Sequence, residues 1–295
     1  MEGINVHGVG IYFKNFFDPE KDFFHKITQQ HVLQELTESN KPGVSYRKGI
    51  YITHVHEGVH GTEFRLMRCS TNLKGPTENI RSSDHEIITR VNEVARKYYP
   101  EGAPLNHVLA QLYENKVIQG KEKKARIKAH SDKTKDMFPN GLMAFCTFYD
   151  SEAQREDSLC RLRFRLKGFP PRENCDPELK KEIDILLHPN SLFLMPLSTN
   201  RLYTHDVSPS RMNVAQTPTR LGYVIRSSNV RARHVNGKTY IVRDNGTLIE
   251  MKPPTLKDRE KIKELYKREN STADLVEYGP IHFSLNEGDY MEPVV

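Results

Sequence analysis

His130 and Asp132 stand one residue apart in Ala129-His-Ser-Asp-Lys-Thr-Lys-Asp-Met137. In an extended strand, residues two apart point to the same side, so an imidazole nitrogen and a carboxylate oxygen converge on one point. Such a pair supplies two of the three ligands of a mononuclear non-haem iron site, whose open positions take a co-substrate and oxygen. His205, in Leu202-Tyr-Thr-His-Asp-Val-Ser-Pro209, ends an apolar strand before a loop and is the expected third ligand. His188 is the rival, but Pro189-Asn190 after it signals a turn rather than a strand end.

A second strand carries charge. Strand periodicity puts Arg220 and Arg226 on one face with Gly222 and Val224, while Leu221, Tyr223 and Ile225 form the other. Two guanidiniums on one wall imply an acidic ligand, and a small dicarboxylate suits the planar fork of arginine. The plainer alternative is a pair of exposed arginines on an edge strand.

The segment His56-Glu-Gly-Val-His60 matches the HExxH pattern of zinc proteases, which needs a helix to bring both histidines to one face. Alternating isoleucine, tyrosine and threonine before it, with Gly58 and Gly61 interrupting it, read instead as a strand entering a turn. Cys69, Cys146, Cys160 and Cys175 show no CxxC spacing, against a structural zinc site or a disulfide-dense scaffold and in favour of a reducing compartment.

These side chains need a scaffold of strands. Short β-type runs are expected at 108–113, 127–132, 142–149, 159–166, 191–195, 202–205 and 220–226, with long connections suggesting a Greek-key sandwich or jelly roll. Before them, Gly10 to Phe17 reads as a strand, and Asp18-Pro19 opens a helix to about Leu36 that buries Phe23, Phe24, Ile27, Leu33 and Leu36. A Ser83-x-x-Glu86 capping box begins a second helix, ended by Tyr99-Pro100 and Gly102. Asn115 to Lys128 reads as an exposed basic loop, and Pro253-Pro254 precedes a helix at 256–267 and an acidic, irregular tail.

With 295 residues, 37% hydrophobic and 28% charged, the chain suits one well-solvated domain with a sizeable core. A net charge of +6 and a pI near 9.0 favour a polyanionic partner such as nucleic acid. No apolar run approaches a membrane span and the N-terminus has no signal-like pattern, so an intracellular protein, cytoplasmic or nuclear, is expected.

Taken in order, Gln111-Leu-Tyr113, His130-Ser-Asp132-Lys-Thr-Lys-Asp136, His205-Asp-Val-Ser-Pro209 and Arg220-Leu-Gly-Tyr-Val-Ile-Arg226 resemble the AlkB-like 2-oxoglutarate- and Fe(II)-dependent dioxygenases. That family runs Asn-x-Tyr, His-x-Asp, a distal histidine and Arg-x-Asn-x-x-x-Arg. The likeness covers roughly Ile11 to Arg226. Gln111 and Gly222 replace two asparagines, and the Tyr113 to His130 connection is longer than usual.

The resemblance implies a mostly β chain with flanking helices (α+β), built on a cupin-like double-stranded β-helix. It assigns Fe(II) to His130, Asp132 and His205. It also assigns the distal carboxylate of 2-oxoglutarate to Arg220 with Tyr113 and Gln111 assisting, and places Arg226 near the metal-chelating carboxylate. Residues 1–100 would carry helices, strands and a substrate lid, 101–230 the catalytic core, and 231–295 an extension packed on it. The implied reaction couples oxidation of 2-oxoglutarate by O2 to hydroxylation of an N-methyl group on a single-stranded or flipped base, with Tyr51, Phe64, Arg65 and Arg68 as candidate substrate contacts. Two alternatives stand beside it: the same oxygenase chemistry on a base C-methyl group, a protein or a small molecule, and a catalytically silent jelly-roll binding module.

Overall fold

The computed structural model describes residues 2–37, 44–69, 73–151, 155–168 and 179–295, so Cys175 lies outside the described residues. Eight strands form two facing antiparallel sheets. One sheet runs Ser191–Pro196, Leu142–Tyr149, Arg220–Arg226, His107–Tyr113, and the other runs Ile127–His130, Tyr203–Ser208, Arg161–Leu166, Glu182–Leu186. Numbered along the chain from His107, these are strands 6-3-8-1 opposite 2-7-4-5. That interleaving defines a double-stranded β-helix, a jelly roll.

Leu142–Tyr149 shows why these residues choose this fold. All eight are buried, and they alternate between two cores. Leu142, Ala144, Cys146 and Phe148 pack outward with Ile27, Ile87, Val91 and Ala95 of the two N-terminal helices. Met143 and Phe145 pack inward with Phe164, Phe193 and Val224. A strand buried on both faces must be apolar throughout, and this one is. Ile11–Phe13 and Val44–Thr53 extend the larger sheet on either side.

Residues 231–295 do more than lie against the core. Val230–Val235, Lys238–Val242 and Leu248–Glu250 join Gly61–Leu66 and His56–Gly58 in one five-stranded sheet, so the expected lid and the C-terminal extension form a single unit. The HExxH segment is one hairpin of that sheet, with His56 and His60 exposed, a geometry that leaves no shared histidine face. Among the described residues no helix is long and apolar enough to cross a membrane.

The expected helix from Pro19 to Leu36 is broken. Pro19–Lys21 is one 3-10 turn; Asp22, at φ 45°, then accepts the His25 N–H and restarts the chain as helix Phe23–Gln30. His31 ends that helix because its ring is drawn inward between two carboxylates, Nδ1 to Glu78 at 2.8 Å and Nε2 to Asp84 at 2.7 Å. The Ser83 capping box is also displaced. Helix Ser82–Tyr98 starts two residues earlier, with Arg81 as its N-cap, and Asp84 accepts the Arg81 N–H at 2.7 Å while also binding His31 and the Tyr223 hydroxyl.

Burial opposes charge on His31, but its bonds to Asp84 and Glu78 override it and push the pKa up to about 9. The stabilisation from the imidazolium is complete below its ordinary value of about 6.5 and is lost as pH rises through the folded value. We expect a loss on the order of 3 kcal/mol across that window, read by urea unfolding. Lys167, lowered from 10.5 to about 8 by burial, acts with opposite sign between those values and so overlaps only the upper end of the His31 window. The difference from His31→Gln isolates the histidine, and equal slopes for both proteins would contradict the assignment.

Candidate metal and co-substrate site

The strand Ile127–His130 does not deliver its ligand by simple alternation. Ile127 pairs with Val207 and His130 with His205, so three steps on one strand match two on the other, and the register shifts between them. This bulge turns His130 inward after Ile127 has already faced the core, leaving Lys128 and Ala129 exposed. The strand stops at His130, so Asp132 lies in the following loop and not on the expected strand.

The loop is held from three sides. Asn200 clamps the backbone of Asp132, with Oδ1 accepting from its N–H and Nδ2 donating to its carbonyl, both at 2.9 Å. Asn270, near the end of helix Leu256–Ser271, accepts the Ser131 N–H at 2.9 Å, and Glu269 accepts the Thr134 N–H at 3.0 Å. Asp136 binds Arg68 through its backbone N–H at 2.6 Å, its Nε at 3.1 Å and its Nη2 at 2.7 Å, with Lys135 Nζ at 3.1 Å. These supports had no local sequence signal.

Within this frame the ligand atoms of His130, Asp132 and His205 lie within 4.8 Å of one another. Asp132 Oδ1 faces His130 Nε2 at 3.3 Å and His205 Nε2 at 4.0 Å, and the two rings stand 4.5 Å apart. Arg226 grips the other oxygen, Oδ2, through Nε and Nη2, both at 2.6 Å. One carboxylate oxygen is thus oriented by arginine and the other is turned to the histidines. His130 Nδ1 donates to the Lys128 carbonyl at 2.9 Å, which fixes the ring with Nε2 toward the cluster.

The electrostatics suit a cation. Burial, and then the nearby His130, push His205 down to about 3, so it is neutral at physiological pH. Burial alone would raise Asp132, but Arg226 and the two histidines hold it well below the usual carboxylate range. Two imidazoles and one ionised carboxylate, all converging, are the donor set that octahedral iron accepts on one face. His188 is not part of it; its Nδ1 meets the Tyr12 hydroxyl at 2.9 Å and its Nε2 meets Glu156 at 3.2 Å.

Arg220 lies on the inner wall, only 2% exposed. Its guanidinium sits 4.8 Å over the Tyr113 ring and Nη2 donates to Thr147 Oγ1 at 3.3 Å, while Nε and Nη1 have no partner among the described residues. No carboxylate pairs with it there. Gly222 makes this posture possible: a Cβ at that position would meet Nη1 at 3.0 Å and Nη2 at 3.1 Å. Gln111 takes the Tyr113 hydroxyl on Oε1 at 3.3 Å.

The four candidate substrate contacts have other neighbours. Tyr51 is buried with Leu36, Leu73 and Leu109 and meets the His107 ring edge-on at 5.1 Å. Phe64 fills the core of the five-stranded sheet with Val55, Ala232 and Ile241. Arg68 is bound to Asp136 and to the carbonyls of Ile281 and Phe283, so it ties the metal loop to the C-terminal segment. Arg65 is half-buried and donates to the Ser228 carbonyl at 2.9 Å. Cys69, Cys146 and Cys160 are free and buried.

The fold and site define a jelly roll enclosing a two-histidine, one-carboxylate cluster beside a buried arginine. No family model and no curated protein matches the chain. Among solved structures it is similar to a prolyl-4-hydroxylase from Pseudomonas putida, at 11% identity over 74% of this chain and 92% of that one, with a TM-score of 0.43. It is also similar to the non-heme alpha ketoglutarate dependent epimerase SnoN from nogalamycin biosynthesis, at 10% identity, 77% and 82% coverage and a TM-score of 0.43. The fold assignment rests on the strand order, not on these likenesses.

Proposed function

We propose that the chain is a 2-oxoglutarate- and Fe(II)-dependent dioxygenase that removes methyl groups from the nitrogens of nucleic-acid bases. The observation that carries the co-substrate is Arg220, a buried guanidinium with no carboxylate partner on the wall that faces the His130, Asp132 and His205 cluster. An uncompensated buried charge is costly by several kcal/mol, and a carboxylate of a bound dicarboxylate would relieve it.

His130, Asp132 and His205 would hold the metal, with Arg226 orienting Asp132. Arg220, Tyr113 and Thr147 would receive the distal carboxylate, and the unpartnered Nη1 of Arg226 is available to the other end. When bound, the iron with 2-oxoglutarate and O2 supplies the oxidising power that hydroxylates a C–H bond. Phe145 and Phe164 pack on His205 and keep that wall dry. Hydroxylation of an N-methyl group leaves a hemiaminal that releases formaldehyde. The order of the four motifs and the net charge of +6 support the nucleic-acid target.

The test incubates the protein with Fe(II), 2-oxoglutarate and ascorbate and follows N-methylated single-stranded DNA and RNA oligonucleotides by mass spectrometry. A methyl-mass loss that requires 2-oxoglutarate and vanishes in His130→Ala is expected. Succinate formation with unchanged oligonucleotides would retain the oxygenase and reject the substrate; neither product would reject both.

A further inference from the structure

We propose that the hairpin between the Tyr113 and His130 strands is a docking arm that holds the backbone of a single-stranded nucleic acid at the open side of the metal cluster. The inference rests on the dioxygenase reading for its purpose, but its observations are separate. The arm is a built element. Lys116–Ile118 and Lys121–Lys123 pair antiparallel, and Gln119 and Gly120, with φ of 50° and 72°, form a tight two-residue turn whose positive φ values match strand twist.

Its base is anchored. Asn115 Oδ1 accepts the Ala125 N–H at 3.0 Å, Glu122 accepts the Val214 N–H at 2.9 Å, and Lys124 Nζ donates to the carbonyls of Ser210 and Met212. The arm itself joins no other sheet among the described residues, and every residue from Lys116 to Lys123 is exposed.

The charge on the arm is unbalanced. Lys48 and Lys116 occupy Glu114, and Lys124 lies near Glu122. Lys121, Lys123, Arg126 and Lys128 have no carboxylate partner among the described residues. The last two lie on the path to His130, the most open of the three ligands: its side chain is 30% exposed, against 8% for Asp132 and 4% for His205. The ligand that solvent reaches most is therefore the one that Arg126 and Lys128 precede in the chain, by four and two positions.

Two apolar side chains sit among the cations, Val117 at 60% and Ile118 at 40% exposure. A single-stranded nucleic acid offers both a charged backbone and flat base faces, so it satisfies both features. An acidic peptide satisfies only the charge.

The experiment measures anisotropy of fluorescein-labelled single-stranded RNA and DNA with metal-free protein, from low to physiological salt, so that binding is read apart from chemistry. Lys121→Gln with Lys123→Gln changes only exposed, unpaired side chains, and melting curves verify its fold. Affinity should fall about tenfold or more, and the slope of log affinity against log salt should shrink by about 1.4, the value for two lost contacts to a single strand. Unchanged affinity and slope overturn the proposal, as does no oligonucleotide binding by the wild-type protein. Equal competition by poly-glutamate also overturns it, since the arm would then read charge alone. If wild-type protein binds through the arm yet removes no methyl group, docking stands and the demethylase reading fails.

Discussion

Replacing Arg220 with methionine should leave the ligand-free protein at least as stable as wild type, while weakening 2-oxoglutarate binding by roughly 30-fold to several-thousand-fold, or about 2–5 kcal/mol. The opposite signs follow from one observation. Arg220 is buried, stacked on Tyr113 and bonded only to Thr147, with Nε and Nη1 unsatisfied among the described residues. An apolar side chain of similar volume removes that uncompensated charge, which in other buried sites is neutral or stabilising by about 1–4 kcal/mol. A merely structural arginine would show a destabilised protein with ligand binding untouched. Calorimetric titration of 2-oxoglutarate, alongside urea unfolding, separates the two cases.

Asp136→Ala should cost about 3–5 kcal/mol and weaken metal binding with it. Its carboxylate receives Arg68 and Lys135, and the side chains of all three are nearly inaccessible. Arg68 and Lys135 hold Asp136 below the usual carboxylate range against the burial that would raise it. Removal leaves two buried cations facing one another beside the metal loop. Arg68 also reaches the carbonyls of Ile281 and Phe283, so the C-terminal segment should loosen as well. Hydrogen exchange of 280–290 and a urea midpoint measure both effects. A loss under about 1 kcal/mol would mean the pair contributes no more than an exposed surface bridge.

What the sequence reveals divides by physical range. Arg220–Arg226 and Leu142–Tyr149 were legible to the residue because local alternation and apolar content decide them. His130, Asp132 and His205 were legible as chemistry, since few residue types serve a metal. How Asp132 reaches the site was not. A bulge at Lys128–Ala129 and the amide of Asn200 do what strand alternation was expected to do, and Asn200 lies far along the chain. The bond that holds Arg68 was hidden for the same reason: its partner, Asp136, is 68 positions away. The helix from Pro19 ended early because His31 is bound to Glu78 and Asp84, a tertiary constraint that helix periodicity does not encode.

The most direct measurement of the central claim is an anaerobic titration of Fe(II) into purified protein, with and without 2-oxoglutarate, against His130→Ala and Arg220→Met. One iron per chain is expected, lost in His130→Ala and retained in Arg220→Met. One 2-oxoglutarate is expected on the iron-loaded wild type, bound at least about 30-fold more weakly by Arg220→Met. Iron that binds equally well to His130→Ala, or a co-substrate indifferent to Arg220, would contradict that claim.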